Sequence, residues 1–274
     1  MKKNDIIYSF EITNGYVFRQ IFELYDKLII NVIPIYFKEN GFILRGGSGT
    51  NSKRKIVSDV EIFAEDIIDY YLNVDLATVP RTEDSGACFI EQINLNSLKT
   101  IFKSIAKSNS VKIYRTKDSN DIHIEVKGLT TEYSRISSSN YQTVNYDISE
   151  FDNLSEIPNL KIDIGQFCSS MKGMTRGDTE ITNFKVFDKG LIIEGINNSG
   201  FIVKDGKWGN KEETSTETKV NSSIIKALCK ISSIANYSII KIFSKKNGYL
   251  KINHKVGDFG EHNIYLIDIQ QDNE

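Results

Sequence analysis

Cysteine is scarce. The three thiols, Cys88, Cys168 and Cys229, lie far apart with no paired spacing. That pattern excludes a disulfide framework or a zinc site and predicts a reducing compartment. Cys168 and Cys229 fall within helical patterns, where a free thiol is a small apolar filler. Long apolar runs are missing too. The longest, around 28–37, is interrupted by Asn31 and Pro34 and is too short for a bilayer span, so no membrane partner is expected. Met1-Lys2-Lys3 leads straight into an alternating strand pattern, so no secretory signal is expected and the protein is predicted not to be secreted. An excess of one charge is also lacking, since the formal net charge is −2. Histidine occurs three times, scattered, and His123 and His254 read as surface or edge positions on strands. No Ser-His-Asp or Cys-His constellation can be assembled, so the expectation is a protein that is not an enzyme, with no catalytic residue, metal or cofactor.

What is present is a globular balance. Hydrophobic residues make up 40% and charged residues 26% of 274, enough for one large domain or two ordinary ones with a sizeable core. The chain also repeats itself. Residues 96–103 and 223–230 are both helical patterns with lysines four apart, each followed by a strand (111–114; 240–243), a polar turn and a second strand (122–126; 250–253), at an offset of 127 to 129. A further helical pattern opens each half. Residues 15–30 carry Val17, Ile21, Leu24 and Leu28 on one face, and 165–176 carry Phe167, Met171 and Met174. Between the helices lie short alternating strands such as 55–63. Four helices among many strands predict an α+β architecture, helices on one face of antiparallel sheets. The expected domains are 1–145 and 161–274. Residues 146–160 form an acidic connector between them, read equally well as a plain linker or as a partner-binding segment.

The helices carry the charge signal. Projected at 100° per residue, 95–107 gathers Leu95, Leu98, Ile101, Phe102 and Ile105 on one side and Lys99, Lys103 and Lys107 about 150° away, with no acid in the helix. Residues 222–236 behave alike with Lys226 and Lys230, and 165–176 offers Lys172 and Arg176. Residues 15–30 offer Arg19 and Lys27 beside Glu23 and Asp26. The four patterns hold nine of the 34 basic residues and two of the 36 acidic ones: +7 on the helices against −9 elsewhere. Solvated helix faces ordinarily mix signs in pairs four apart. Four such faces point to one anionic partner. Lysines a helical turn apart offer point charges to phosphates and no fork for bases, so the binding is predicted to be sequence-independent and salt-dependent.

The closing stretch, Leu250-Lys251-Ile252-Asn253-His254-Lys255-Val256-Gly257-Asp258-Phe259-Gly260 and then Ile264-Tyr265-Leu266, resembles the final hairpin of the proliferating cell nuclear antigen (PCNA) family of DNA sliding clamps. Residues 93–103 resemble that family's second helix, and Ile157-Pro158 the end of its interdomain connector. The resemblance implies a clamp fold with sheets outside and four helices on the inner face, closed into a ring, usually a homotrimer. It implies double-stranded DNA in the channel against Arg19, Lys103, Lys172 and Lys230, with Lys27, Lys99, Lys107, Arg176 and Lys226 nearby. A DNA polymerase and other clamp-binding proteins would dock at Leu154, Ile157, Pro158, Tyr249, Tyr265, Leu266 and Ile267, and a clamp loader is a further partner. Subunits would join by strand pairing at 120–126 (Ile122, Ile124, Val126) and 179–187 (Ile181, Phe184).

Departures from the family are concentrated at the pocket. Ile267-Asp268 stands where Ala-Pro is usual, and Tyr249 where a proline is usual. They are expected of a diverged member, from a large DNA virus or another AT-rich lineage, acting in the nucleus or at a cytoplasmic viral replication site. The Gly-rich stretch 45–53 lacks the Gly-Lys-Ser/Thr ending of a phosphate loop and reads as a flexible loop. Tyr16, Phe18, Phe22 and Tyr25 read as core at helical spacing. Two other readings stay open: a subunit of a checkpoint-type mixed ring, and a monomeric DNA-binding processivity or transcription factor on the same fold.

Overall fold

The computed structural model describes residues 5–28, 30–48, 56–76, 78, 81–82, 86–138, 148, 151, 154, 157–174, 181–187, 190–195, 199–203, 214–235, 239–245 and 248–268. Strand β1 (Ile6–Ile12) runs into helix α1 (Gly15–Lys27), then a meander of β2 (Val32–Lys38), β3 (Gly41–Ser48) and β4 (Ile56–Phe63). After β5 (Asp69–Leu72) and the two-residue β6 (Arg81–Thr82) and β7 (Gly86–Ala87) come β8 (Phe89–Asn94), α2 (Leu95–Phe102), β9 (Ser110–Thr116), β10 (Asp121–Lys127) and β11 (Thr131–Ser137). The order then recurs. It runs through β12 (Leu160–Asp163), α3 (Ile164–Met174), the meander β13 (Ile181–Phe187), β14 (Gly190–Glu194) and β15 (Ser199–Val203), and then β16 (Thr214–Asn221). Helices α4 (Ser223–Leu228) and α5 (Ile231–Ile234) and strands β17 (Ile239–Lys245), β18 (Tyr249–Val256) and β19 (Gly260–Leu266) complete it.

The sheets expose the duplication. The largest has eight strands in the order β12-β17-β18-β19-β4-β3-β2-β8, four from each half. Its seam is the antiparallel pairing of β19 with β4, from Gly260↔Ile62 to Leu266↔Ile56. The other large sheets are β11-β10-β9-β1-β5 and β15-β14-β13-β16. Helices of both halves touch, α1 against α4 and α5 and α3 against α4 and α5, so they form one layer. This is the expected α+β arrangement.

Local causes are visible at the helix ends. Asn14 caps α1, its side chain accepting from the Val17 amide at 3.2 Å. Phe18, Ile21, Phe22, Leu24 and Tyr25 face the core, while Tyr16 is only half-buried. Asn94 caps α2 in the same way, accepting from Asn96. That helix stops at Phe102, a turn short of the expected 95–107. The Arg19 guanidinium donates to the carbonyls of Lys103 (3.0 Å) and Ile105 (3.2 Å), and Asn109 takes the Ala106 amide. The pattern at 222–236 breaks into α4 and α5, where Ser233 donates from both its amide and its hydroxyl to the Lys230 carbonyl. At the β2–β3 turn Gly41 has φ +141, and a Cβ there would lie 2.1 Å from the Ile62 carbonyl, so only glycine fits.

Two strand expectations are corrected. Ile122, Ile124 and Val126 are buried on β10, which pairs with β9 and β11 and so is not an edge. Phe184 is buried on β13, between β14 and β16; Ile181, at the start of β13, is 42% exposed. Among the described residues β11, one strand on from β10, and β15, two strands on from β13, are edges of their sheets, as are β5, β8, β12 and β16. Arg45 to Ser48 likewise belong to β3 rather than to a loop. Arg45 is buried and bonds Asp59 on β4 bidentately, Nε to Oδ1 at 2.9 Å and Nη2 to Oδ2 at 2.8 Å.

Candidate nucleic-acid interface and docking pocket

The helix layer gathers the predicted cations. A crevice of about 380 Å³ between α1, α2 and the α4–α5 junction is lined by Arg19, Lys27, Lys99, Lys103 and Lys230, with Phe22 and Phe102 at its floor. It draws on both halves of the chain. Lys27, Lys103, Lys107 and Lys172 are exposed. Lys107 stands over the Tyr16 ring, its Nζ 5.6 Å from the centroid. Lys226 lies on α4 with only its backbone described, and Arg176 lies outside the described residues.

The cations are not equivalent. Arg19 pairs with Glu23 (2.7 Å) as well as holding the end of α2, which makes it a brace between helices. Lys99 pairs with Asp26 of α1 at 2.6 Å, a partner that inspection of its own helix could not reveal. The two acids of the helix layer are thus engaged with two of its nine bases, and both pairs are partly exposed, where a screened ion pair contributes little.

Behind the helices, on the opposite face of the eight-stranded sheet, lies a separate apolar cluster. Val57, Ile148, Phe151 and Tyr265 are buried in it, with Leu154, Tyr249 and Ile267 packed against them. Four predicted docking residues therefore meet: Leu154, Tyr249, Tyr265 and Ile267. Leu266 does not join them. Strand alternation turns it into the main core opposite Leu250, where it is fully buried. Ile157 is 76% exposed and Pro158 half-buried, both outside the cluster. Sequence reasoning missed Val57, which lies opposite Tyr265 across the seam, and Ile148 and Phe151, whose spacing of three with Leu154 was the available signal.

The departures from the family find their structural place here. Tyr249 meets Phe151 edge-on, centroids 5.2 Å apart. Beyond Ile267, Asp268 accepts from the Lys219 amide at 3.2 Å, crossing the β17–β18 turn at Gly248, where φ is +75 and a Cβ would lie 2.8 Å from that of Asp268.

One polar constellation survives as a non-site. Ser58, His262 and His254 form a chain, Ser58 Oγ to His262 Nε2 at 2.8 Å and His262 Nδ1 to His254 Nε2 at 2.9 Å. His254 is 2% exposed and His262 fully buried, which corrects the reading of His254 as a surface position and leaves no room for a substrate. Two of the thiols are held protonated. Burial raises the Cys168 pKa and pushes Cys229 up to about 11.

Comparison with solved structures defines the class of fold. The crystal structure of proliferating cellular nuclear antigen from Entamoeba histolytica superposes with a TM-score of 0.72 at 10% identity, covering 96% of this chain and 98% of that one. The PCNA2-PCNA3 complex from Sulfolobus tokodaii gives a TM-score of 0.71 at 15% identity, covering 94% and 98%. The fold is that of the PCNA clamps, over nearly the whole chain. No family model and no curated protein sequence matches.

Proposed function

We propose that this chain is one subunit of a sliding clamp, a ring that encircles duplex DNA and tethers other proteins to it. The observation that carries this reading is the duplication of edges. Counted by element order, β11 is the counterpart of β19, and β15 is the counterpart of β4. Within the chain β19 pairs with β4, and β11 and β15 are left as unpaired edges. A second copy offering β15 to β11 repeats outside the joint already made inside, and a head-to-tail joint repeated in this way forms a ring when its rotation closes. Exposed apolar groups at the β11 edge favour such pairing: Leu129 at the turn is fully exposed and Tyr133 73% exposed. The interface residues expected at β10 and β13 move accordingly to these edges.

In that ring 1–145 and 161–274 act as two clamp domains joined by 146–160. The helix layer faces the hole, and Lys27, Lys103, Lys107, Lys172 and Lys230 meet phosphates without reading bases. The cluster around Tyr249 and Tyr265 is the docking pocket for a DNA polymerase and other clamp-binding proteins. No step of the function needs a catalytic group.

Light scattering tests the assembly: a homotrimer has three times the 31.1 kDa of one chain. Retention tests the topology. The protein is held on closed circular DNA and lost from the same DNA once linearised; equal loss from both overturns the reading. A chain that stays monomeric alone but enters a ring with other subunits of this fold belongs to a mixed clamp instead. The similar structure from Sulfolobus tokodaii is itself a complex of two different chains, PCNA2 and PCNA3.

A further inference from the structure

The docking pocket is already occupied by the chain's own connector. The Phe151 amide donates to the Ile148 carbonyl at 2.8 Å and the Leu154 amide to the Phe151 carbonyl at 3.1 Å. Two successive turns of this kind bring side chains three apart to one side. Ile148 (8% exposed) and Phe151 (6%) are thereby laid on Val57 and Tyr265, with Leu154 beside them. The Phe151 ring stands at 83° to Tyr249 and lies 4.8 Å from Tyr265. Such rings interlock by edge and face. The cluster is separate from the main core, and three of its seven members are these connector side chains. Ile157 is not part of the cluster and is exposed.

We propose that Ile148, Phe151 and Leu154 are a built-in ligand that closes the Tyr249–Tyr265 pocket, and that a partner protein gains access only by displacing Phe151. This deepens the proposed docking role and rests on it for the outside partner alone; the closed pocket is a property of the free chain.

Tyrosine nitration by tetranitromethane, read by mass spectrometry on the full chain, tests it. Tyr265 of the urea-unfolded chain and Tyr25 in the folded core calibrate the scale. In the folded wild type Tyr265 is expected to react at least tenfold more slowly than in the unfolded chain. In Phe151→Ala its rate rises at least fivefold while Tyr25 stays protected. A fluorescein-labelled peptide of residues 146–158 is then added in trans. It is expected to bind Phe151→Ala at least tenfold more tightly than wild type and to restore Tyr265 protection; the same peptide with alanine for Phe151 does neither. Tyr265 reacting in the folded wild type as fast as in the unfolded chain overturns the proposal. So does a Tyr265 rate indifferent to Phe151→Ala, or a peptide that fails to prefer the opened variant. Should Phe151→Ala expose Tyr25 as well, Phe151→Leu, which keeps apolar volume but no ring, serves the same comparison. Ring mass and retention on circular DNA, measured on the same samples, report the clamp reading separately.

Discussion

His262 donates from Nδ1 to Nε2 of His254, 2.9 Å away, and the direction of that bond follows from its neighbours. His254 Nδ1 faces the Lys255 carbonyl at 2.9 Å, which only accepts, so Nδ1 carries the proton and Nε2 is the acceptor. His262 then accepts at Nε2 from the Ser58 hydroxyl. Both rings are neutral, and the chain ties β18 and β19 to β4 across the seam between the halves.

Acid should therefore loosen the fold before its carboxylates titrate. Burial lowers the His254 pKa from 6.5 to about 4 and holds His262 well below its usual value, although the Lys255 carbonyl and Glu261 beside His254 oppose the shift. The unfolded chain binds more protons than the native one between these limits. Stability is then level above pH 6.5 and falls below it, by up to about 1.4 kcal/mol per pH unit for each ring. Urea unfolding between pH 8 and 4.5 should show this slope, and His262→Gln should flatten it. At Glu261 burial works to raise the pKa, but Lys255 and Asn253 outweigh it and lower the value, so this group adds its own loss only nearer its ordinary 4.5.

The Arg45–Asp59 pair predicts an asymmetry. Both side chains are about 95% buried on adjacent strands. Asp59→Ala takes the carboxylate from a buried guanidinium and should cost about 3–5 kcal/mol in urea unfolding, while the double replacement Arg45→Met with Asp59→Leu should recover most of that.

Cations of the helix layer should separate by role. Lys103→Ala or Lys107→Ala is expected to leave the melting temperature unchanged and to lower the slope of log K against log salt by about 0.9 for each phosphate no longer neutralised. Lys99→Ala should do less, because Asp26 already competes for it. Arg19→Ala should lower the melting temperature, since two carbonyls at the end of α2 lose their donor.

Proline placed on β11 should break assembly without unfolding the chain. Successive amides of a strand point to opposite sides, so of Tyr133→Pro and Ser134→Pro one removes an outward amide and the other a bond to β10. The first is expected to give a folded monomer by light scattering, the second a destabilised chain.

Much of this was legible in the sequence. The apolar faces of the helices and the alternation of β9 and β10 set out the core, because period alone separates the two sides. Edges were not legible. Strand β10 alternates cleanly because it is interior, whereas β11, Thr-Glu-Tyr-Ser-Arg-Ile-Ser, buries only Ile136 and hardly reads as a strand at all. Helix ends were misjudged where a distant group intervened, as Arg19 does at Lys103. The pocket was half legible. Tyr249 and Tyr265 sit on strands, but Phe151 lies in a polar stretch whose turns no periodicity announces.

The two edges have one more consequence. A joint between β11 and β15 is made from unlike surfaces, so it has a direction, and successive subunits must all turn the same way. Every pocket then opens toward the same rim. Such a ring threaded on a duplex distinguishes one way along the helix axis from the other, and whatever it carries inherits that heading.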